Sequence, residues 1–493
     1  MSSPRRSSVT RGAIWSAVDR CGVVLLQFII NLVLARMLSP DDFGLVGMIL
    51  IFVAVSQTLI DGGFAAALIQ KRDASARDYS TIFYWNILFS VALYGVIYLA
   101  ASAVAGFFAI PALRGLLRVL GVVIIINSFA IVQRTVLRKE LDFKTIAIVD
   151  ILSYGIAAAV AAFMASRGYG VWSLVGMHLT IGLLSALLFW LMSRWRPTME
   201  FSFSSFRVLF SYGGYLLVAS MMQDVCTHIQ GVVIGRRFSA AETGLYAQAK
   251  KMDEVASLTL PALLCQVLFP VYSSLQDDLS TLRRMLAENV RMVAFLIFPL
   301  MTLLMIVAKP LFLFLYGSQW VEAVPYFQVL CVGGLFSALY NFNYYAVAAV
   351  GRSRELFLWG CYKWGMLIAL LLGGAMISMR AVLWAMVISN LNIYLTNALL
   401  AQRYVGYSLV RQLRDVAPTL LLSVIVGSAV YSLNTLVPLH WLLCCMVFAL
   451  LYVALSWVCG LRALDDTWRF IVSYQKRKKD DRGTVAAESS GAL

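Results

Sequence analysis

The 493-residue sequence contains few charged residues. Asp, Glu, Lys and Arg make up 13% of it, against about 25% in soluble globular proteins. Hydrophobic residues reach 61%, and the mean hydropathy is +0.81. A soluble protein of this size and composition would expose more apolar surface than water tolerates. The composition therefore excludes an ordinary soluble protein and predicts an integral membrane protein.

Several chemical signatures are also missing. The eight cysteines lie in apolar stretches without a CxxC pair, and none of the three histidines stands at a metal-binding spacing. No HExxH and no Walker A motif occurs. The sequence thus predicts no disulfide framework, metal or cofactor, and a function other than catalysis. The net charge of +15 does not favour a nucleic-acid partner, because no soluble domain presents a basic face.

Apolar stretches long enough to cross a bilayer recur along most of the chain. About 20 apolar residues span the hydrocarbon core as a helix, and no strand-like alternation appears. We therefore predict an all-α, polytopic membrane protein whose first span is not a cleaved signal. The fourteen predicted spans cover residues 14–37, 45–69, 81–105, 116–137, 146–166, 171–193, 208–234, 245–271, 286–307, 326–350, 356–376, 381–404, 416–436 and 441–461.

Lysine and arginine are distributed unequally between the two sides of these spans. They concentrate at the N-terminus, in the connections after even-numbered spans, and in the tail that contains Lys476–Lys479. The connections after odd-numbered spans hold far fewer. Cytoplasmic connections carry such an excess, so we expect a multi-pass membrane protein with both termini in the cytoplasm. The basic tail is expected to be disordered and to lie against anionic lipid.

One turn motif occurs twice. An arginine, a serine, an acidic residue, a glycine and a leucine stand at positions 36, 39, 42, 44 and 45 and again 200 residues later. We expect Ser39 and Ser239 to cap the following helices with the acid three residues on, and Gly44 and Gly244 to permit a tight chain reversal. A chance likeness of two turns is the alternative. A true repeat separated by six spans has parallel copies, as in many transporters.

The repeat and the charges predict five regions. They are a cytoplasmic N-terminus (1–12), an N-lobe of six spans (13–200), a C-lobe of six spans (201–405), two further spans (406–463) and a basic cytoplasmic tail (464–493).

Five stretches between about residues 10 and 460 resemble one transporter family. The chain resembles the polysaccharide-flippase (Wzx-type) branch of the multidrug/oligosaccharidyl-lipid/polysaccharide exporter superfamily, and colanic-acid-exporter-like lipopolysaccharide biosynthesis proteins in particular. The stretches are Leu34-Ala-Arg-Met-Leu with Phe43-Gly-Leu, Asp61-Gly-Gly with Ala67-Leu-Ile-Gln, Leu137-Arg-Lys-Glu-Leu-Asp-Phe, Val267-Leu-Phe-Pro with Leu275-Gln-Asp-Asp, and Leu330-Cys-Val-Gly.

The resemblance implies a V-shaped pair of six-helix lobes around a cationic cavity, working by alternating access. It implies an oligosaccharide linked to undecaprenyl diphosphate as substrate, in contact with membrane lipids and with polysaccharide polymerase and export machinery. Two alternatives stay open. One is an antiporter of small molecules like the superfamily's drug exporters, and the other is a membrane glycosyltransferase or polymerase, which the short periplasmic connections disfavour.

Ionisable residues inside spans are costly and tend to face a cavity or one another. We expect the diphosphate to be attracted by cations, with snorkelling or local salt bridges as the alternative; the candidates are Arg20, Lys250, Lys251 and Lys363. We expect ion coupling at acids and a histidine, of which two, Asp224 and His228, share a helix face; the candidates are Asp61, Asp224, His228 and Glu254.

Polar and aromatic residues in the tenth and twelfth predicted spans suit sugar recognition. Amides can hydrogen-bond sugar hydroxyls, and tyrosine rings can stack on the sugar. The same residue types also join helices inside a membrane. The candidates are Asn341, Asn343, Tyr344, Tyr345 and Asn390.

Overall fold

The computed structural model of the chain describes residues 6–71, 73–437 and 440–469. Regular structure in these ranges is helical throughout, so the predicted all-α fold is confirmed. The chain divides into two compact units. The first contains the residues up to Ala247 together with Leu315–Trp320, and the second contains the rest.

The first unit is built from long helices joined by short turns. Its main packing pairs are α1 with α6, α4 with α5, α5 and α6 with α7, and α2 with α8. The helices are α1 (Arg6–Met37), α2 (Pro40–Asp61), α3 (Phe64–Gln70), α4 (Ala76–Phe108), α5 (Ala112–Lys139), α6 (Phe143–Ser166), α7 (Trp172–Met192), α8 (Phe203–Arg237) and the first half of α9 (Ala240–Glu254).

In the second unit, α13 is the central helix and packs against α10, α11 and α15. A π-helical turn, Val255–Thr259, links α9 to α10, and a 3-10 turn, Ser318–Ala323, precedes α13. The helices are α10 (Leu260–Ser274), α11 (Leu279–Ile306), α12 (Ala308–Leu315), α13 (Val324–Ala349), α14 (Ser353–Ile377), α15 (Met379–Val405), α16 (Leu409–Leu436) and α17 (Trp441–Val458).

Eleven helices in the described residues are long and apolar enough to cross a membrane, so the chain is a multi-pass membrane protein. Each of the eleven overlaps a predicted span. The remaining three predicted spans correspond to α1, to α8 and to α9 with α10, which carry more polar residues or are interrupted by the π turn. The count of fourteen therefore stays a prediction. The predicted lobe boundaries also stay a prediction; α8, which they assign to the C-lobe, groups with the first compact unit.

The repeated motif forms the same cap twice. Ser39 caps α2 and accepts a hydrogen bond from the Asp42 amide at 3.3 Å, while the Asp42 carboxylate accepts one from the Ser39 amide at 3.0 Å. The Glu242 amide donates to Ser239 Oγ at 3.1 Å at the start of α9. Reciprocal bonds of this kind satisfy amides that a helix N-terminus leaves without partners. The predicted caps are confirmed.

The predicted role of the two glycines was wrong. Gly44 and Gly244 lie inside helices and not at a chain reversal. A Cβ atom on Gly44 would lie 1.8 Å from the carbonyl oxygen of Ala240, and one on Gly244 would lie 1.8 Å from that of Pro40. The two copies of the motif therefore pack against each other, and glycine is required because backbone meets backbone there.

Candidate functional site

A polar seam joins α2 and α8 in the first unit. The Thr58 hydroxyl donates a hydrogen bond to the Asp224 carboxylate. One residue earlier on α2, Gln57 accepts a hydrogen bond from Asn127 of α5 at 3.2 Å. Asp61 lies one turn beyond Thr58, so polar groups recur along this part of α2. One side of the seam is α2, an apolar helix long enough to cross a membrane, where polar side chains are costly unless they have partners.

The chain bends directly after Asp61. Gly62 and Gly63 adopt left-handed conformations with φ values of 53° and 71°, which only glycine adopts without strain. A Cβ atom on Gly63 would lie 2.3 Å from the carbonyl oxygen of Gly213 on α8. The break in the helix is therefore packed against α8, and it fixes the half-buried Asp61 at the end of α2.

Two further polar groups of α8 lie near the same seam. His228 is half-buried one turn after Asp224, so the two side chains share a helix face. Gln230 accepts a hydrogen bond from the Tyr246 hydroxyl. The candidates Asp61, Asp224 and His228 thus lie on two adjacent helices, and Asp224 is tied directly to α2.

In the second unit, charged side chains cluster at the end of α9. Lys250 and Glu254 are one turn apart, with Nζ and Oε1 separated by 3.5 Å, which is the local ion pair weighed as the alternative role for Lys250. Lys251 is half-buried beside them.

Sequence reasoning did not select Asp253, which the structure buries in the same cluster. Its Oδ2 accepts a hydrogen bond from Ser257 at 3.1 Å, while Oδ1 has no protein partner among the described residues. A Cβ atom on Gly334 of α13 would lie 2.7 Å from Oδ1, so a glycine at that position admits the carboxyl group. A π-helical turn begins two residues after Asp253. Only the structure shows this turn, and such turns are frequent at functional sites.

Lys363 of α14 is buried, with 7% of its surface exposed. Its Nζ donates a hydrogen bond to Asn397 Oδ1 at 2.8 Å and lies 5.9 Å from the centre of the Tyr344 ring. Asn397 in turn donates to the Tyr340 carbonyl at 3.1 Å. None of the ion pairs found in the described part of the chain includes Lys363. The lysine is therefore held between α13, α14 and α15, and residues 6–71, 73–437 and 440–469 supply no counter-ion for it.

Lys363 is connected through α13 to the cluster of charged residues at the end of α9. The carbonyl of Tyr340 on α13 accepts a hydrogen bond from the asparagine that binds Lys363, and Gly334 on the same helix lies against the Asp253 carboxylate. Helix α13 thus contacts both the acid at the end of α9 and the hydrogen-bond partner of Lys363.

The polar and aromatic candidates differ in exposure. The Tyr344 residue is 39% exposed and meets the Tyr345 ring edge-on at 5.6 Å, while Asn341 and Asn390 are half-buried. Asn343 is fully buried and donates to Gln412 Oε1 at 3.0 Å. That bond joins α13 to α16 and accounts for an asparagine there. The side chain of Arg20 lies outside what the structure describes.

Comparisons with known proteins agree with this architecture. The chain is 26% identical to the teichuronic acid biosynthesis protein TuaB of Bacillus subtilis, over 71% of this chain and 73% of that protein. It is 25% identical to the lipopolysaccharide biosynthesis protein WzxC of Escherichia coli, over 75% and 76%. The fold is similar to that of a solved structure of the lipid II flippase MurJ, with a TM-score of 0.71 at 14% identity, covering 90% of this chain and 98% of that one.

A family model described as polysaccharide biosynthesis protein matches residues 33–325. The match includes the two copies of the turn motif and the α9 cluster, and it confirms the resemblance drawn from the five sequence stretches. Since it covers more than half of the sequence, the chain belongs to the polysaccharide biosynthesis protein family.

Proposed function

We propose that the chain is a flippase that moves oligosaccharide repeat units, linked to undecaprenyl diphosphate, across the inner membrane by alternating access. The units would serve exopolysaccharide or lipopolysaccharide biosynthesis, both termini would be cytoplasmic, and a polymerase would consume the product. Membership of the polysaccharide biosynthesis family supports this assignment, as do relatives whose names refer to teichuronic acid and lipopolysaccharide biosynthesis.

The observation that carries the proposal is the environment of Lys363. Taking an ammonium group out of water costs several kcal/mol unless an opposite charge is close, and an amide oxygen and a tyrosine ring offset only part of that cost. A diphosphate supplies the missing negative charge. The exposed ring of Tyr344 beside Nζ offers a flat surface for the adjoining sugar. We therefore assign diphosphate binding to Lys363, with Lys251 as the second cation.

Ion coupling belongs, in this proposal, to the carboxylates and the histidine. Asp61, Asp224 and His228 of the first unit and Glu254 of the second are half-buried in a membrane protein, where protonation or cation binding changes the local charge strongly. The hydrogen bond from Thr58 to Asp224 makes the charge on Asp224 bear directly on the packing of α8 against α2. Discharge of that carboxylate weakens the bond and loosens the seam.

A small-molecule antiporter is the competing function. A cationic drug would have to approach Lys363, whose positive charge no carboxylate of the described residues neutralises, so the second unit disfavours cations and favours anions. A glycosyltransferase or polymerase needs acids or arginines arranged around a bond to be broken. The acids found here are instead distributed along the helices α2, α8 and α9.

The proposal is tested by reconstituting the purified protein in vesicles that contain a fluorescent polyprenyl-diphosphate oligosaccharide in the outer leaflet. Lys363→Met should lower the rate of transfer to the inner leaflet by more than tenfold, and Lys363→Arg should restore part of it. Lys309→Met is the matched control, because Lys309 is an exposed lysine of α12 and the change removes the same charge. Equal rates in Lys363→Met and Lys309→Met would refute the role of Lys363.

Deletion in the native host separates transport from polymerisation. Loss of a flippase traps complete repeat units on the cytoplasmic side of the membrane. Unpolymerised units that already face the periplasm in the deletion strain point to a polymerase and refute the proposed function.

A further inference from the structure

A pocket of about 690 Å³ lies in the second unit where α11, the start of α16 and the turn after α17 meet. Its lining includes four arginines, Arg291, Arg411, Arg414 and Arg462. Neither the family match nor the transport proposal assigns it a role. The volume is within the range of about 300–1,000 Å³ that is typical of ligand sites.

One of the four arginines is neutralised within the protein. Arg291 Nε donates to Asp466 Oδ2 at 2.7 Å, and its NH1 lies 3.6 Å from Asp415 Oδ2. The Tyr407 hydroxyl donates to the same Asp415 carboxylate at 2.6 Å. These bonds tie α11 and α16 to the segment after α17 and form a rigid floor for the pocket.

The other three arginines have no such partners. Arg411, Arg414 and Arg462 are exposed, and none of them takes part in an ion pair within the described part of the chain. Arg411 and Arg414 stand in the first two turns of α16, where no acidic residue is present in the first turn. The N-terminus of a helix carries a positive partial charge. It therefore repels the two arginine side chains at this end of α16 unless an anion binds between the arginines and the helix end.

The pocket lies at the level where lipid headgroups are expected. It opens at the ends of α16 and α17, both of which have membrane-spanning sequences, on the side that the loop charges assign to the cytoplasm. Val410 and Leu413 stand next to the two α16 arginines and are 75% and 48% exposed, and Trp468 is 66% exposed. Exposed tryptophan and aliphatic residues beside arginine are typical of the membrane interface.

We propose that this pocket binds the phosphate-bearing headgroup of an anionic phospholipid from the cytoplasmic leaflet. Arg411, Arg414 and Arg462 hold the phosphate, and the neighbouring exposed apolar side chains contact the acyl chains. The bound lipid connects the two last helices to α11. The assignment does not depend on which substrate the protein transports, because the pocket residues are separate from Lys363 and the α9 cluster.

The test counts the lipids that stay bound to the intact chain in native mass spectrometry, with phosphatidylglycerol and phosphatidylcholine offered separately. Each basic residue near an anionic surface contributes about 1 kcal/mol, so replacing all three arginines by glutamine should weaken phosphatidylglycerol binding about 100-fold. The matched control replaces Arg207, Arg284 and Arg354, three exposed arginines elsewhere on the cytoplasmic side. It should retain the wild-type affinity, and phosphatidylcholine binding should be the same in all three proteins.

Cys459 provides a second readout that does not require lipid counting. Its exposed thiol lines the pocket, whereas the exposed Cys361 of α14 lies outside it. Phosphatidylglycerol in the surrounding nanodisc should slow the reaction of a neutral maleimide with Cys459 but not with Cys361, and the pocket variant should lose this protection.

Three results would overturn the proposal. The first is equal loss of phosphatidylglycerol in the pocket variant and the control variant, which indicates general surface charge. The second is unchanged binding in the pocket variant, with a size-exclusion profile that shows it is folded. The third is protection of Cys459 by inorganic phosphate alone at millimolar concentration with no added effect of lipid, which identifies a free anion as the occupant.

Discussion

The contact between the two copies of the turn motif gives the sharpest structural prediction. In Gly44→Ala the new methyl group would lie 1.8 Å from the carbonyl oxygen of Ala240, whereas Cβ atoms essentially never come closer than 3.0 Å to another heavy atom. The difference between these distances is 1.2 Å, and the two backbones must separate by about that much. No side chain can rotate away, because the opposing atom belongs to the main chain.

The expected cost follows from what that separation does to the packing. Overpacking a close contact costs about 1–3 kcal/mol, and the rigidity of a backbone-to-backbone contact places Gly44→Ala at the upper end. Replacing glycine by alanine inside a helix otherwise stabilises by about 0.5–1 kcal/mol. The net destabilisation is therefore expected to be about 2 kcal/mol. The assay is the thermal midpoint of the purified protein, measured by the loss of the monodisperse peak in size-exclusion chromatography.

Gly47→Ala is the matched control on the same helix. Its methyl group would meet Thr243 Cγ2 at 3.9 Å, an ordinary van der Waals contact. We expect its thermal midpoint to equal that of the wild type or to exceed it. If Gly44→Ala is as stable as Gly47→Ala, the glycine contact is not what holds the two motif copies together. Gly244→Ala should repeat the Gly44→Ala result, because its methyl group meets Pro40 O at the same distance.

Three further predictions follow from local geometry. Gly334→Ala should displace Asp253, whose Oδ1 lies 2.7 Å from the new methyl group, and should lower vesicle transport more than it lowers the thermal midpoint. Ser39→Ala removes a helix cap and should lower the free energy of unfolding by about 1 kcal/mol in denaturant titration. Hydrogen bonds from Thr281 and Ser280 lower the pKa of Asp278 to about 2. Its cap on α11 should therefore be complete above pH 4 and lost as the pH falls through 2, as amide exchange at Thr281 would show.

Much of the fold could be predicted because a helix that spans a membrane requires a long run of apolar residues, which is visible in the sequence. Apolar length predicted the helices, while the orientation that the basic loops indicate stays a prediction. Two adjacent glycines after Asp61 permit the left-handed backbone of the bend between α2 and α3. The π turn after Glu254 has no comparable signal in the local residues, and it packs against α13.

The site was predictable in residue type but not in environment. Lys363 was selected as a candidate because it is an isolated lysine within a predicted span. Its burial, however, depends on Asn397, which lies on the next helix. Asn343 has the same sequence signal as Asn341 and is instead fully buried against Gln412. Asp253 was missed because it stands in a run of charged residues at the end of α9, and only the approach of Gly334 shows that it points inward.

The half-buried and buried cations of the described residues differ in how they are neutralised. Arg134 pairs with the buried Asp150, and Arg291 pairs with Asp415 and Asp466. Removing either arginine takes an ion-pair partner from a carboxylate and should destabilise the fold. Lys363 Nζ instead has an amide oxygen at 2.8 Å and the Tyr344 ring centre at 5.9 Å. An apolar Met in its place should therefore leave folding unharmed or improve it, while transport fails. Retained stability together with lost transport would support the proposed role of Lys363 in binding the substrate.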